Sequence, residues 1–230
     1  MSPPASRRRA AGRRDAGPRA RRERRREPEE KRARLLAAAR RLFAERGYAA
    51  TTTADLAREA GMAEGTVFHH FGSKQALLAE VAAEYGRGLA VHMFGALAPG
   101  EGAPTAEAML RRAFSYVRDH GAVSRLLALA PDPTDWAAAR GASRREIVSA
   151  LAAAFERWSE RGLLRRHDPA LAAELLFALV ESALTACFVR EDGSREEAWL
   201  RETVACVEGA LLASPGAVRV RQPPARRRSR

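Results

Sequence analysis

Residues 47 to 78 read Gly-Tyr-Ala-Ala-Thr-Thr-Thr-Ala-Asp-Leu-Ala-Arg-Glu-Ala-Gly-Met-Ala-Glu-Gly-Thr-Val-Phe-His-His-Phe-Gly-Ser-Lys-Gln-Ala-Leu-Leu, and this stretch decides the fold. Thr52 with Asp55 three residues later has the spacing of an N-cap and an acidic partner, which predicts a helix from Thr53 to Gly61. A further helix begins near Ala63 and stops before Gly72, where Ser73 reads as the N-cap of a longer helix starting at Lys74. Upstream, Leu35, Ala39, Leu42 and Phe43 recur at helical spacing opposite Arg34, Arg40, Arg41 and Glu45. A first amphipathic helix therefore runs from about Glu29 to Arg46, and Gly47 stops it. The pattern is a helix-turn-helix. On its last short helix Val67 and Phe71 share a face, with His70 beside them, while Gly65, Thr66, Phe68 and His69 point the other way. Phenylalanine, histidine and threonine on a solvated face without lysine or arginine suit a major groove, which offers phosphates, base edges and thymine methyls.

This signature closely resembles that of the TetR family of bacterial transcriptional regulators over about residues 30 to 78. The match runs through Leu42-Phe43, Gly47-Tyr48, Thr51-Thr52, Leu56-Ala57, Ala60-Gly61, Gly65-Thr66, Phe71 and Ser73-Lys74. The resemblance implies that Thr52, Thr53 and Lys74 hold phosphates while Glu64, Gly65, Thr66 and His69 face base edges. Phe68 belongs to the same surface but stands where similar proteins often have a tyrosine, so it keeps the packing and loses a hydrogen bond to phosphate. Ala63 occupies the usual capping position of the recognition helix, and a cap worth about 1 kcal/mol is missing there. Glu64 either accepts from a cytosine amino group or swings away from the phosphates.

The net charge of +12 is unevenly spread. Residues 1 to 26 hold eleven Arg against Asp15 and Glu23, a balance of +9, and residues 214 to 230 hold six Arg and no acid, a balance of +6; the stretch between them is net −3. Both ends mix Arg with Pro, Ala, Gly and Ser and lack apolar periodicity, which predicts disordered arms at 1–28 and 214–230. Such arms either contact phosphates without sequence preference or stay solvated. The basic start is not followed by an apolar stretch of signal-peptide length, so a cytoplasmic protein is expected. The most apolar region, Ala170 to Val189, contains Glu174 and Glu181, each costing about 2.5–3.5 kcal/mol near a bilayer centre. It reads as a buried helix and not as a membrane span. Cys187 and Cys206 sit in helical patterns and suit reduced thiols better than a disulfide.

Beyond the DNA-binding module at 29–78, the chain carries no strand alternation, so the fold class is all-α. Helices are expected at about 74–97, 105–119, 121–130, 143–161, 169–190 and 195–213, with Asp168-Pro169 as one start and Ser194 with Glu197 as a capping box for the last. Residues 79–213 suffice for one helical core. The last two helices are apolar over more than one stripe, and Leu175, Leu179, Ala183, Trp199, Val204 and Val207 are the candidate dimer contacts. That matches the four-helix-bundle dimer of the family; burial within a monomer is the alternative. The resemblance further implies a small-molecule pocket among the middle helices, with Met93, Phe94, Phe114, Tyr116, Trp136, Phe155, Trp158 and Phe177 as candidates for either its wall or plain core.

No catalytic pattern stands out. His92, His120 and His167 are scattered without metal-ligand spacing, and neither a phosphate-binding glycine loop nor a nucleophile elbow occurs. No cofactor or metal is expected. The reading is a sequence-specific regulator with partners double-stranded DNA as an inverted-repeat operator, a second copy of itself and an unknown small ligand, most simply a repressor that the ligand releases. A sequence-independent DNA-coating protein driven by its Arg-rich arms is the alternative.

Overall fold

The computed structural model describes residues 18–95, 105–128, 133–162 and 167–211, and all regular structure among them is helical. The helices are α1 (Pro18–Arg46), α2 (Thr53–Ala60), α3 (Gly65–Phe71), α4 (Lys74–Phe94), α5 (Ala106–Asp119), α6 (Gly121–Ala128), α7 (Pro133–Glu160), α8 (Pro169–Thr185) and α9 (Glu196–Leu211), with a π-helical turn, Ala186–Arg190, continuing α8. The sequence-predicted caps of α2, α4 and α8 are formed. Thr52 accepts from the Asp55 amide, Ser73 from the Ala76 amide, and Asp168 from the amides of Ala170 and Leu171.

Three expectations need correction. α1 starts at Pro18 and not near Glu29, so residues 18–28 of the expected arm are helical. The run is rich in Arg and includes Ala20, Glu23 and Glu27, all strong helix formers, and proline suits a first helical position, although Pro28 leaves one backbone bond unmade within the helix. Residues 1–17 and 212–230, on which the rest of the disorder expectation falls, lie outside the described residues. α7 starts at Pro133, ten residues ahead of 143, and runs through Gly141. A mid-helix glycine costs about 1 kcal/mol, and burial of Ala139, Ala142 and Ser143 around it offsets that cost. Ser194 does not cap α9: its hydroxyl donates to the Glu191 carbonyl at 2.9 Å, and Glu197 pairs with Arg111 instead.

Two cores share the molecule. The first joins Leu35, Leu42 and Phe43 of α1 to Leu56 of α2, Val67 of α3 and Leu77, Leu78 and Val81 of α4, and it extends to Leu127 of α6 and Ala139 of α7. The second gathers Leu89 and Met93 of α4 with Leu110 and Phe114 of α5, Leu151, Phe155 and Trp158 of α7, Leu176 of α8 and Leu200 and Val207 of α9. α4 runs through both, and it can lie against α7 because of Gly86: a β-carbon there would sit 2.5 Å from the Ser143 carbonyl oxygen. Ion pairs tie the layers at the surface, Arg32 to Glu80 and Arg40 to Glu84 between α1 and α4, and Arg118 to Glu196 between α5 and α9. Each contributes at most about 1 kcal/mol at these exposures.

Candidate nucleic-acid interface and ligand cavity

The helix-turn-helix is built by short-range satisfaction of backbone groups. At the start of α2, Thr52 and Asp55 form a reciprocal box: the Asp55 amide donates to Thr52 Oγ1 at 3.1 Å, and the Thr52 amide donates to Asp55 Oδ2 at 3.1 Å. The Thr52 hydroxyl, donating to Asp55 Oδ2 at 2.7 Å, then the Thr52 amide, with help from Arg58, hold the Asp55 carboxyl down to about 2. At the other end Gly61 turns left-handed at φ +65°, and its N–H reaches the carbonyls of Ala57 and Arg58. Arg34 of α1 donates to the Ala60 carbonyl, so a residue that reads as surface in sequence covers the end of α2. Buried Thr51 donates to the Gly47 carbonyl at 2.8 Å and fixes the loop before α2.

α3 presents the faces expected of it. Val67 is buried and Phe71 partly buried, with the Arg32 guanidinium 5.0 Å from the Phe71 ring centre. Gly65, Phe68 and His69 are exposed and Thr66 is half-exposed, Phe68 at 52%. No side chain caps α3, in line with Ala63 at the capping position. Burial, then the neighbouring His69, Lys31 and Arg32 charges, lower the pKa of His70. Pro28 and Lys31 of α1 share a hollow of about 400 Å³ with Thr66, His69 and His70, so the basic helix lies beside the recognition helix.

Four expected DNA contacts already have partners inside the module. Thr53 Oγ1 donates to Glu64 Oε1 at 2.6 Å across the turn, so Glu64 is held by a residue expected to bind phosphate. Lys74 donates from Nζ to the carbonyls of Tyr48 at 3.0 Å and Thr51 at 2.9 Å, and lies 4.2 Å from the Tyr48 ring centre. Two of its three donors are therefore spent on the loop that carries Thr52. Thr52 itself is exposed but committed to Asp55.

A cavity of about 510 Å³ opens between α4, α5, α6, α7 and α8. Its interior is aliphatic, with Leu89, Met93, Met109, Leu110, Ile147 and Leu151 among its walls, and its polar groups include Arg140, Arg144, Glu181 and Arg190. Of the aromatic wall candidates only Phe177 lines it. Phe114, Phe155 and Trp158 are buried in the second core, Phe94 and Tyr116 pack against that core, and the Trp136 side chain lies outside the described residues. The reason is volume: flat rings fill the closely packed seams, as in the Phe155–Trp158 pair with centroids 5.8 Å apart, and leave aliphatic side chains around the void. Tyr85 lines the cavity too; its hydroxyl lies 2.7 Å from Ser124 Oγ, and burial pushes its pKa up to about 12.

The dimer candidates divide as well. Leu175 and Leu179 are exposed, at 73% and 40%, and Leu171 extends their stripe at 63%. Ala183 and Val207 are buried within the protomer, and Trp199 and Val204 pack against its second core, with Trp199 Nε1 donating to Glu191. α8 with its π turn is the one described segment, Pro169–Arg190, long and apolar enough to cross a bilayer. One of its faces packs within the protomer, through buried Ala172, Ala173, Leu176 and Leu184, and Glu174 pairs with Arg144 of α7. It is thus buried along one side only, and not throughout.

With this geometry in view, the comparisons with known proteins agree. A sequence profile of bacterial regulatory proteins of the tetR family matches residues 35–81, and one of the C-terminal domain of AefR-like transcriptional repressors matches residues 118–205. Together they span more than half of the chain. The chain belongs to the TetR family. It is 50% identical over 40 residues to the HTH-type transcriptional repressor KstR2 of Rhodococcus jostii, which is 17% of this chain and 20% of that protein. The chain thus matches about a fifth of the length of such curated relatives. Solved structures align far more completely. A TetR-family transcriptional regulator of Pectobacterium atrosepticum is 29% identical, with 83% of this chain and 98% of that one covered and a TM-score of 0.56. GusR of Salmonella enterica is 25% identical, with 80% and 96% covered and a TM-score of 0.61. TetR-family members are DNA-binding regulators and not enzymes. Two of the histidines make local contacts within the fold: His120 stacks on Tyr116 with centroids 4.0 Å apart, and His92 lies 3.3 Å from Ser115 Oγ.

Proposed function

We propose that this protein is a cytoplasmic, homodimeric transcriptional repressor that reads an inverted-repeat operator and loses DNA affinity when a small molecule fills its cavity. DNA reading rests on the outer surface of α3, where exposed Phe68 and His69 and half-exposed Thr66 lie beside the Thr53-held carboxylate of Glu64. One recognition helix reads few base pairs, so two copies set about one DNA turn apart, roughly 34–36 Å, supply the specificity. The exposed Leu171, Leu175 and Leu179 stripe on α8 is the surface that pairs them.

The observation that carries ligand release is the position of Leu127. It is buried in the first core with Leu35 and Leu42, with Val123 and Leu126 packed around it, and it also lines the cavity with Ser124 and Ala128. A ligand that displaces α6 therefore disturbs the helix against which the DNA-binding module is built. DNA affinity falls only as far as the ligand favours the displaced arrangement.

Selection of binding sites from randomised duplex DNA at about 150 mM salt tests the reading, because nonspecific phosphate contacts are weakened there. Enrichment of an inverted repeat with half-sites about one turn apart is the expected result. Weak binding to every duplex without enrichment would favour the DNA-coating alternative driven by the basic arms.

A further inference from the structure

Four charged side chains line the cavity: Arg140, Arg144, Glu181 and Arg190. Arg140 and Arg144 lie one turn apart on α7, and Arg190 ends the π turn that follows α8. Arg140 and Arg190 are exposed and Arg144 is half-exposed, whereas Leu110, Ile147 and Leu151 are buried, so the arginines mark the open end and the aliphatic residues the interior. Arg144 pairs with Glu174 and lies with its guanidinium 5.0 Å from the Phe177 ring centre, which fixes it at the rim. Glu181 of α8 faces both Arg144 and Arg140; burial raises its pKa, and the two arginines lower it. The lining thus carries three cations and one carboxylate, Glu181, and with Arg144 paired to Glu174 a positive excess remains. Arg140 has no ion pair or hydrogen bond among the described residues.

The π turn reinforces this placement. Such turns are rare and recur at functional sites, because one added residue redirects the side chains that follow. Here Ala186–Arg190 adopts it, and both Val189 and Arg190 line the cavity. The void, at about 510 Å³, falls within the range of about 300–1,000 Å³ for small-molecule sites. Guanidinium groups recognise carboxylate and phosphate oxygens by paired, charge-assisted hydrogen bonds.

We infer that the cavity takes an anionic amphiphile, with an apolar chain lying among Leu110, Ile147 and Leu151 and a carboxylate or phosphate head held by the exposed arginines of the lining, Arg140 and Arg190. This deepens the ligand-release reading and rests on it. The head group remains near solvent, so a free acid and a conjugate whose head protrudes share the same recognition.

Calorimetric titration of the full chain with decanoate, decyl phosphate, decan-1-ol and decylammonium tests the inference. Decanoate or decyl phosphate is expected to bind on the order of tenfold more tightly than decan-1-ol, the size set by charged hydrogen bonds at a partly exposed rim. Arg140→Gln, an exposed change that keeps the fold, should weaken the anion on the order of tenfold and leave decan-1-ol unchanged, and Arg190→Gln should act in the same direction. Equal binding of alcohol and anion in the wild type, equal losses for both in the variants, or binding of none of the four compounds would overturn the anionic class. Preferred binding of decylammonium would overturn it in favour of Glu181 as the head-group reader. Failure of the regulatory reading is separate: Arg140-dependent anion binding that leaves operator affinity unchanged would sustain the site and refute ligand release.

Discussion

Replacing Lys74 by methionine separates a phosphate contact from a structural clamp. The substitution keeps the apolar stem and removes the ammonium that donates to Tyr48 and Thr51 carbonyls at 3.0 and 2.9 Å. Charged hydrogen bonds contribute about 1.5–3 kcal/mol each, and half-burial places the two together near about 2 kcal/mol. The ammonium over the Tyr48 ring adds about 0.5–1 kcal/mol. A combined loss of about 2.5–3 kcal/mol should lower the melting temperature by about 5–12 °C, at about 2–4 °C per kcal/mol for a chain of this size. Thermal unfolding followed by circular dichroism reads that shift, and operator binding at several salt concentrations reads the phosphate count. Loss of one phosphate contact per subunit would reduce the salt slope by about 1.8 per dimer. The expected result is a lowered melting temperature with an unchanged slope. An unchanged melting temperature with a shallower slope would refute the clamp and restore the phosphate role.

Further outcomes follow from the same geometry. The Thr52 hydroxyl and amide, then Arg58, hold the Asp55 carboxyl down to about 2, so its contribution is present above the ordinary value of 3.8 and disappears as pH falls through about 2. Thr52→Ala should therefore flatten the fall in melting temperature between pH 4 and pH 2, and superimposable wild-type and variant profiles would count against the box. Leu175→Glu with Leu179→Glu should give a folded monomer in sizing experiments that no longer binds the operator, and a dimer that survives both changes would remove this stripe from the interface. Glu64→Ala frees the Thr53 hydroxyl and should relax base preference in a site selection; an unaltered motif would mean that Glu64 serves only the turn.

The sequence exposes the helix-turn-helix because its signals are local. A cap at Thr52, a left-handed stop at Gly61, a cap at Ser73 and the buried face of Val67 each depend on neighbours within a few residues, and the structure has all of them. Long-range partners leave no such trace. Nothing near Arg34 in sequence announces the Ala60 carbonyl, and nothing near Lys74 announces those of Tyr48 and Thr51. The cavity is the harder case, because a residue's type says whether it is apolar and not whether its neighbours fill the space beside it. Aromatic size pointed to Phe114, Phe155 and Trp158, which pack the core, while nothing local in sequence marks Arg140, Arg144 and Arg190 as cavity lining. The start of α7 misled in the same way: a helix expected from 143 begins at Pro133 and carries Gly141 in its middle, its flanking residues buried.

Leu127 faces the cavity and the DNA-binding core at once. Variants that hold the operator regardless of ligand should then arise at two kinds of position with different biochemical signatures. Those in the cavity wall will have lost the ligand. Those along the seam of α6 with α1, at Val123, Leu126 and Leu127, will still bind it with undiminished affinity while remaining deaf to it, and a genetic screen for uninducible alleles would sort into these two groups by ligand titration alone.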